Sequence, residues 1–244
     1  MSNPMISRLT SRPATPAFAV SQSELMTAKG TAGKAMILLV LCAFAAMLSW
    51  QQVASGNADV LYPTMIVGLA GGFLTALIVA FRPNTAPVLA PIYAVLEGLF
   101  LGTVSALVDT LYPGMPQQAV LLTFAVATVV FVLYRRGVLR ATTRFRRTVI
   151  AATLGILVFY GVQLTLSFAP VNIGYNTSNG MLATAINLVT AGVAALFLVL
   201  DFDDIETAVA AGAPRRMEWY GAFALMMTLV WLYLELLQLL GEGD

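Results

Sequence analysis

The sequence predicts an all-α integral membrane protein, a bundle of seven transmembrane helices, and three observations support this prediction. Hydrophobic residues make up 59% of the 244 residues, charged residues make up only 10%, and the mean hydropathy is +0.84. A water-soluble chain of this length needs more charge to cover its surface. The apolar residues fall into seven separate runs, and the basic residues occur only before the first run and in alternate connections.

Each apolar run has the length of a membrane-spanning helix. About 20 residues at 1.5 Å per residue cross a hydrocarbon core of ~30 Å, and a helix pairs its own backbone groups where no water is available. The sixth helix can continue beyond its apolar run, through 201–212. The predicted spans are 35–53, 63–81, 87–108, 117–134, 148–168, 181–201 and 219–240.

The sequence divides into two regions. Residues 1–33 are rich in Ser, Thr, Pro and Ala and predict a disordered cytoplasmic tail. They do not resemble a signal peptide, because the first apolar segment starts too late. Residues 34–241 form the predicted seven-helix membrane domain.

The basic residues predict the orientation of the bundle. All thirteen lie on one side of it, and basic connections stay in the cytoplasm. We therefore expect a multi-pass protein of the bacterial inner membrane, with its N-terminus in the cytoplasm and its C-terminus outside. Six arginines in 135–147 fix the topology and meet anionic head groups, or bind a partner. The basic residues are Arg8, Arg12, Lys29, Lys34, Arg82, Arg135, Arg136, Arg140, Arg144, Arg146, Arg147, Arg215 and Arg216.

The composition also narrows the possible chemistry. The chain has no histidine, which excludes Ser-His and Cys-His nucleophile pairs and histidine-based zinc sites. The single cysteine, Cys42, cannot form an internal disulfide, and a net charge of +1 gives no electrostatic case for nucleic-acid binding. We expect no enzymatic activity, no catalytic residue, no bound metal and no cofactor.

Three carboxylates fall within or at the ends of predicted spans. Glu97 lies near the middle of the third span, Glu235 in the outer half of the seventh, and Asp201 at the end of the sixth. A carboxylate at the centre of a membrane helix costs ~2.5–3.5 kcal/mol on insertion scales. Such a group faces the bundle interior, is protonated, or lines a water path. It is either a hydrogen-bonded structural group or part of an ion pathway.

Asp201 also opens a cluster of acids that continues with Asp203, Asp204 and Glu206. Four carboxylates at the C-terminal end of a helix oppose its macrodipole, so helix stability does not account for them. The cluster can attract cations to a cytoplasmic mouth, pair with arginines, or form a solvated loop.

Two pairs of glycines four residues apart, Gly68 with Gly72 and Gly98 with Gly102, either allow close packing of the second and third helices against neighbours or reflect the general frequency of glycine in membrane helices.

The segments around the acids resemble the Bax inhibitor-1 family, in its bacterial YccA-like branch. The similarity covers roughly residues 25–240 and is carried by Pro91–Ser105, Leu198–Glu206 and Glu218–Glu235. It implies a seven-helix fold whose last helix is central and wrapped by the other six. It also implies kinship with pH-sensitive calcium leak channels, and with relatives that modulate membrane proteases or cell death.

The resemblance further implies where a gate lies. In leak-type members, an aspartate of helix six pairs with an aspartate of helix seven, and protonation controls opening. Asp201 matches the first aspartate, but the second falls on Thr228 in this chain. Glu235, two turns beyond Thr228 on the same face, and Glu97 add carboxylates that can replace the missing acid.

Two functional hypotheses follow. In the first, the protein is a passive cation leak, with Ca²⁺ as the transported ion. Glu97 and Glu235 would line the route, and Asp201 with Asp203, Asp204 and Glu206 would form the inner mouth. In the second, the protein does not transport; it regulates a membrane protease or a stress response through its arginine loop and tail. A coupled transporter is disfavoured, because the sequence shows no internal repeat.

Overall fold

A computed structural model describes residues 24–56, 58–167 and 181–241 of the chain. Within these ranges seven helices are long and apolar enough to cross a membrane, which confirms the predicted fold class. A short 3-10 turn, Pro83–Thr85, joins the second helix to the third. The helices are α1 (Ala28–Ala54), α2 (Ala58–Phe81), α3 (Ala86–Leu111), α4 (Met115–Arg135), α5 (Thr143–Ser167), α6 (Met181–Ala210) and α7 (Met217–Gly241).

The largest difference from the predicted spans is at the end of α6. The apolar run ends at Asp201, but the helix continues to Ala210. Asp201 therefore lies inside the helix, and the continuation through 201–212 that the sequence allowed is confirmed as far as Ala210. Hydropathy indicates where the chain passes from lipid to water, and the helical backbone of α6 continues beyond that boundary.

Helix α1 also begins earlier than the apolar run that marks it. Thr27 caps its N-terminus, because the Thr27 side chain accepts a hydrogen bond from the backbone N–H of Gly30. The last residues of the predicted tail are therefore helical. Residues 1–23 of that tail, and the predicted connection at 169–180, lie outside the described residues.

Helix α7 is the centre of the bundle. Half of its most apolar stretch is buried, the largest share among the seven helices. It packs directly against α1, α3, α4 and α6, while α2 packs on α1 and α3, and α5 packs on α6. The implied central position of the last helix is confirmed, with four of the other six helices forming most of its surroundings.

Glycines allow the closest helix contacts. A Cβ atom on Gly98 would overlap with the carbonyl oxygen of Cys42, and one on Gly102 with the carbonyl oxygen of Ala46. A Cβ on Gly68 would lie 2.8 Å from backbone atoms of α3. The backbones of α1 and α2 thus approach α3 at positions where no larger residue fits.

Large apolar side chains cover the outside of the bundle. Phe44, Phe73, Leu121 and Leu157 are each more than 45% exposed, on four different helices. Contiguous apolar surface of this extent is unfavourable in water and favourable in a lipid bilayer. The outer faces therefore fit a lipid bilayer.

Candidate ion-pathway site

Asp201 and Thr228 meet at the interface between α6 and α7. Both are buried, with 6% and 5% of their surfaces exposed, and their side chains are close enough to interact. The Thr228 hydroxyl also lies 3.2 Å from the carbonyl oxygen of Ala224. The second carboxylate oxygen of Asp201, Oδ2, is enclosed and has no hydrogen-bond partner among the described residues.

An unpartnered oxygen in a buried carboxyl group is costly. Leaving a buried acceptor unsatisfied costs ~1–3 kcal/mol, and more for a charged group. Asp201 therefore has the capacity to take a proton, a cation or a water molecule through Oδ2. The resemblance placed Asp201 and Thr228 at equivalent positions of a gate, and the structure brings these two residues into contact.

Glu235 is buried nearby on α7 in a different environment. Three side chains donate hydrogen bonds to its carboxylate: Thr190 of α6 at 2.5 Å, Trp231 of α7 at 2.9 Å and Tyr160 of α5 at 3.2 Å. Seven residues, about 10.5 Å along the helix, separate Glu235 from Thr228. Its donors tie three helices together, which favours the structural alternative for this acid.

Glu97 lies where α3 meets α1 and α2. The Tyr93 hydroxyl, one turn earlier in α3, and the Cys42 thiol of α1 are close enough to interact with its carboxylate. A Cβ on Gly72 of α2 would lie 3.0 Å from Glu97 Oε2, so this glycine leaves room for the carboxylate. Within the described ranges, no hydrogen bond or ion pair joins Glu97 to Asp201 or Glu235.

The acid cluster at the end of α6 is paired with the arginine loop. Arg146 of α5 donates to Asp203 at 2.9 Å and to Asp204 at 2.6 Å. Glu206 accepts a hydrogen bond from the Tyr134 hydroxyl at 2.8 Å and contacts Arg135 at 3.4 Å. Of the three alternatives for the cluster, the structure supports pairing with the 135–147 arginines.

A polar cavity of about 430 Å³ lies beside these ion pairs. It is lined by residues of both signs, including Arg135, Arg140, Asp203 and Glu206. Because Asp203 follows Asp201 closely on the same helix, the cavity lies near the end of α6 that carries the buried acid.

Sequence reasoning missed a second charged centre, at the start of α7. Glu218 is only 2% exposed and accepts hydrogen bonds from the backbone N–H and the hydroxyl of Thr27, both at 2.9 Å. Lys34 of α1 forms an ion pair with it, and Arg215 lies 4.0 Å away. A Cβ on Gly30 would overlap with the Glu218 carboxylate.

The chain before α1 reinforces this junction. The Met26 N–H donates to the Ala213 carbonyl, and the Arg215 N–H donates to the Glu24 carbonyl, both at 2.7 Å. Glu218 therefore lies at the N-termini of both α1 and α7, where a negative charge interacts favourably with the helix macrodipoles. The sequence contained two signals of this junction: Thr27 stands just before the apolar run of α1, and Glu218 lies in the first turn of α7.

The comparisons with known proteins agree with this architecture. The model of the Bax inhibitor 1 like family matches residues 3–242, a range that includes all seven helices. No curated protein and no solved structure matches the chain. A match over almost the whole sequence, together with the seven helices and the central α7, shows that the chain belongs to the Bax inhibitor 1 like family.

Proposed function

We propose that this protein is a passive cation leak of the bacterial inner membrane, with Ca²⁺ as the transported ion and no enzymatic activity of its own. The observation that supports this most is the buried Asp201 carboxyl group, which faces Thr228 on the central helix and has one oxygen without a partner in the described part of the chain. A carboxylate oxygen is the hard ligand that Ca²⁺ prefers. Family membership and the seven membrane-spanning helices support an integral membrane protein.

The described conformation corresponds to a closed pathway in this proposal. Asp201 and Glu235 lie at two different positions of the α6–α7 interface, and Glu97 lies where α3 meets α1 and α2, so a continuous route requires α7 to move relative to α6 or α3. Asp203, Asp204 and Glu206 form the entrance, held in place by Arg146 and Arg135. Because Glu235 already accepts three hydrogen bonds, we assign it a smaller role than Asp201.

Calcium flux into proteoliposomes tests the proposal. We expect Asp201→Ala to abolish flux and Thr228→Val to change it, because each removes one side of the α6–α7 contact. Glu97→Ala should reduce flux if the route passes between α1, α2 and α3. Asp59→Ala, at an exposed position in the first turn of α2, is the matched control and should leave flux unchanged.

The result that would overturn the proposal is equally direct. If Asp201→Ala and Glu97→Ala both conduct like the parent protein, carboxylates do not define the route. If the parent protein gives no flux above empty liposomes at any pH between 5 and 8, the protein is not a leak.

A second candidate function, regulation of a membrane protease or a stress response, rests on the arginine loop. Four of its six arginines form no ion pair within the described part of the chain and are exposed, which leaves a strong positive surface. These are Arg136, Arg140, Arg144 and Arg147. Capture of a membrane protease that is lost when all four become Gln, yet persists in Asp201→Ala, would favour this function.

A further inference from the structure

An apolar recess lies between α1 and α4, away from the charged end. Both helices pack on α3 and α7 and leave a gap between themselves. The gap encloses about 460 Å³, within the ~300–1,000 Å³ typical of small-molecule sites. We call it the α1–α4 groove; its rim includes Ala43, Met47 and Trp50 of α1 and Gln117, Val120 and Phe124 of α4.

The groove extends from one membrane interface to the middle of the bundle. On α1 its wall runs from Trp50, near the end of the helix, down to Leu39. At 1.5 Å per residue this is about 16 Å, which matches one leaflet, half of the ~30 Å hydrocarbon core. The open rim faces lipid, because Met47 and Phe124 are 50% and 49% exposed.

The lining has no charged side chain, and its deeper polar groups are already paired. The Ser105 hydroxyl donates a hydrogen bond to the Leu101 carbonyl at 2.6 Å. It also forms a hydrogen bond with the Tyr233 hydroxyl at 2.6 Å. The Thr123 hydroxyl donates to the Ala119 carbonyl at 2.7 Å. The interior therefore presents hydrocarbon, while the Gln117 amide and the Trp50 indole stand at the interfacial end.

We propose that the α1–α4 groove binds one acyl chain of a phospholipid, from the leaflet that contains the C-terminal end of α1. An uncharged lining complements a neutral alkyl chain, and polar groups only at the interfacial end complement a chain attached to a head group. An apolar recess without free polar partners does not hold water.

The dimensions support this choice of occupant. The recess follows α1 for about 16 Å, the depth over which one leaflet holds an extended alkyl segment. An extended alkyl chain, whose carbon atoms approach their neighbours to ~4 Å, fits without displacing a helix.

The occupant would contact the central helix. Leu229, Val230 and Tyr233 of α7 form the floor of the groove, and Thr228 precedes them directly. The acyl chain would therefore pack against α7, the helix that carries Thr228 of the candidate gate. Binding of the acyl chain can be detected without measuring ion flux.

Photo-crosslinking of the full-length protein in lipid nanodiscs tests the proposal. The probe is a phosphatidylcholine with a diazirine at the end of one acyl chain, and labelled peptides are mapped by mass spectrometry. We expect adducts concentrated on the groove-lining segments of α1, α4 and α7. Ala43→Phe and Val120→Trp, which fill the groove from opposite walls, should reduce these adducts to the level of the exposed face of α2.

A matched control separates the groove from the general lipid surface. Ala70→Phe, at an exposed position of α2 outside the groove, should leave the groove adducts unchanged. Gel filtration must show that all three variants keep the parent elution profile. Adducts spread evenly over all lipid-facing helices, adducts unaffected by both filling variants, or crosslinks to a second copy in place of lipid would each overturn the proposal.

Discussion

The three most enclosed carboxylates of the described chain, those of Glu218, Glu235 and Asp201, differ in the donors that surround them. Glu218 pairs with the ammonium group of Lys34 and accepts hydrogen bonds from the N–H and the hydroxyl of Thr27. Glu235 accepts hydrogen bonds from three neutral side chains. The Asp201 carboxylate is close enough to the Thr228 hydroxyl to interact, and no donor reaches its Oδ2 among the described residues. A buried acid is stable when its oxygens are paired, so Asp201 is the one left able to bind something further.

Glu218→Ala tests the structural role of the first of these acids. Removing one partner of a buried ion pair leaves the other charge uncompensated and costs ~3–5 kcal/mol. We expect a loss of that size in the free energy of unfolding, measured by circular dichroism in detergent.

Glu206→Ala is the matched control for this experiment. Glu206 contacts Arg135 at 3.4 Å with both side chains at least half exposed, and such pairs contribute ~0–1 kcal/mol. Equal losses in the two variants would contradict the assignment of Glu218 as the junction between α1 and α7.

At this scale the sequence identified some residues of the site and not others. Asp201 and Thr228 were found because a motif carries them. Glu218 was missed because its partner Thr27 lies 191 residues away, and no local pattern links the two. The contact depends on how α1 and α7 pack, which residue spacing alone does not specify.

At the scale of the helices, hydropathy predicted the existence of each element well and its ends less well. The apolar run of α6 stops at Asp201, yet the helix continues to Ala210 and carries three further acids. Arg146, Arg135 and Tyr134 stabilise these acids through ion pairs and hydrogen bonds. The pairing of α4 and α5 with the end of α6 is a tertiary contact. For that reason the sequence left three alternatives open for the acid cluster: a solvated loop, a cytoplasmic mouth that attracts cations, or ion pairs with arginines.

The contact between α1 and α3 gives a prediction about helix packing. A Cβ on Gly98 would overlap with the Cys42 carbonyl oxygen, a backbone atom that cannot rotate away. We expect Gly98→Ala to lower the free energy of unfolding by ~1–3 kcal/mol, as overpacking does.

Gly155→Ala serves as the comparison, because nothing lies within 4 Å of a Cβ on this α5 glycine. Alanine stabilises a helix relative to glycine by up to ~1 kcal/mol, so this variant should be neutral or slightly more stable. Thermal unfolding in detergent measures both. A stable Gly98→Ala variant would mean that α1 and α3 are not as close as described.

At the scale of the whole molecule, charge divides the two ends of the bundle. The acids of α6 and α7 pair with Arg135, Arg146 and Lys34 at one end, while the four exposed arginines of the 135–147 loop have no carboxylate partner in the described ranges. An excess of positive charge therefore persists at that end after pairing. The positive-inside rule predicts that this end faces the cytoplasm.

Cysteine accessibility tests this orientation. In a Cys42→Ser background, which removes the chain's single, buried thiol, Val138→Cys places a thiol at the arginine-rich end and Pro113→Cys one at the opposite end. A membrane-impermeant maleimide added to intact spheroplasts should label Pro113→Cys at once. Val138→Cys should react only after the membrane is permeabilised. Labelling of Val138→Cys in intact spheroplasts would place the six arginines outside the cytoplasm and contradict the positive-inside rule. The acids at the end of α6 would then also face the outside of the cell.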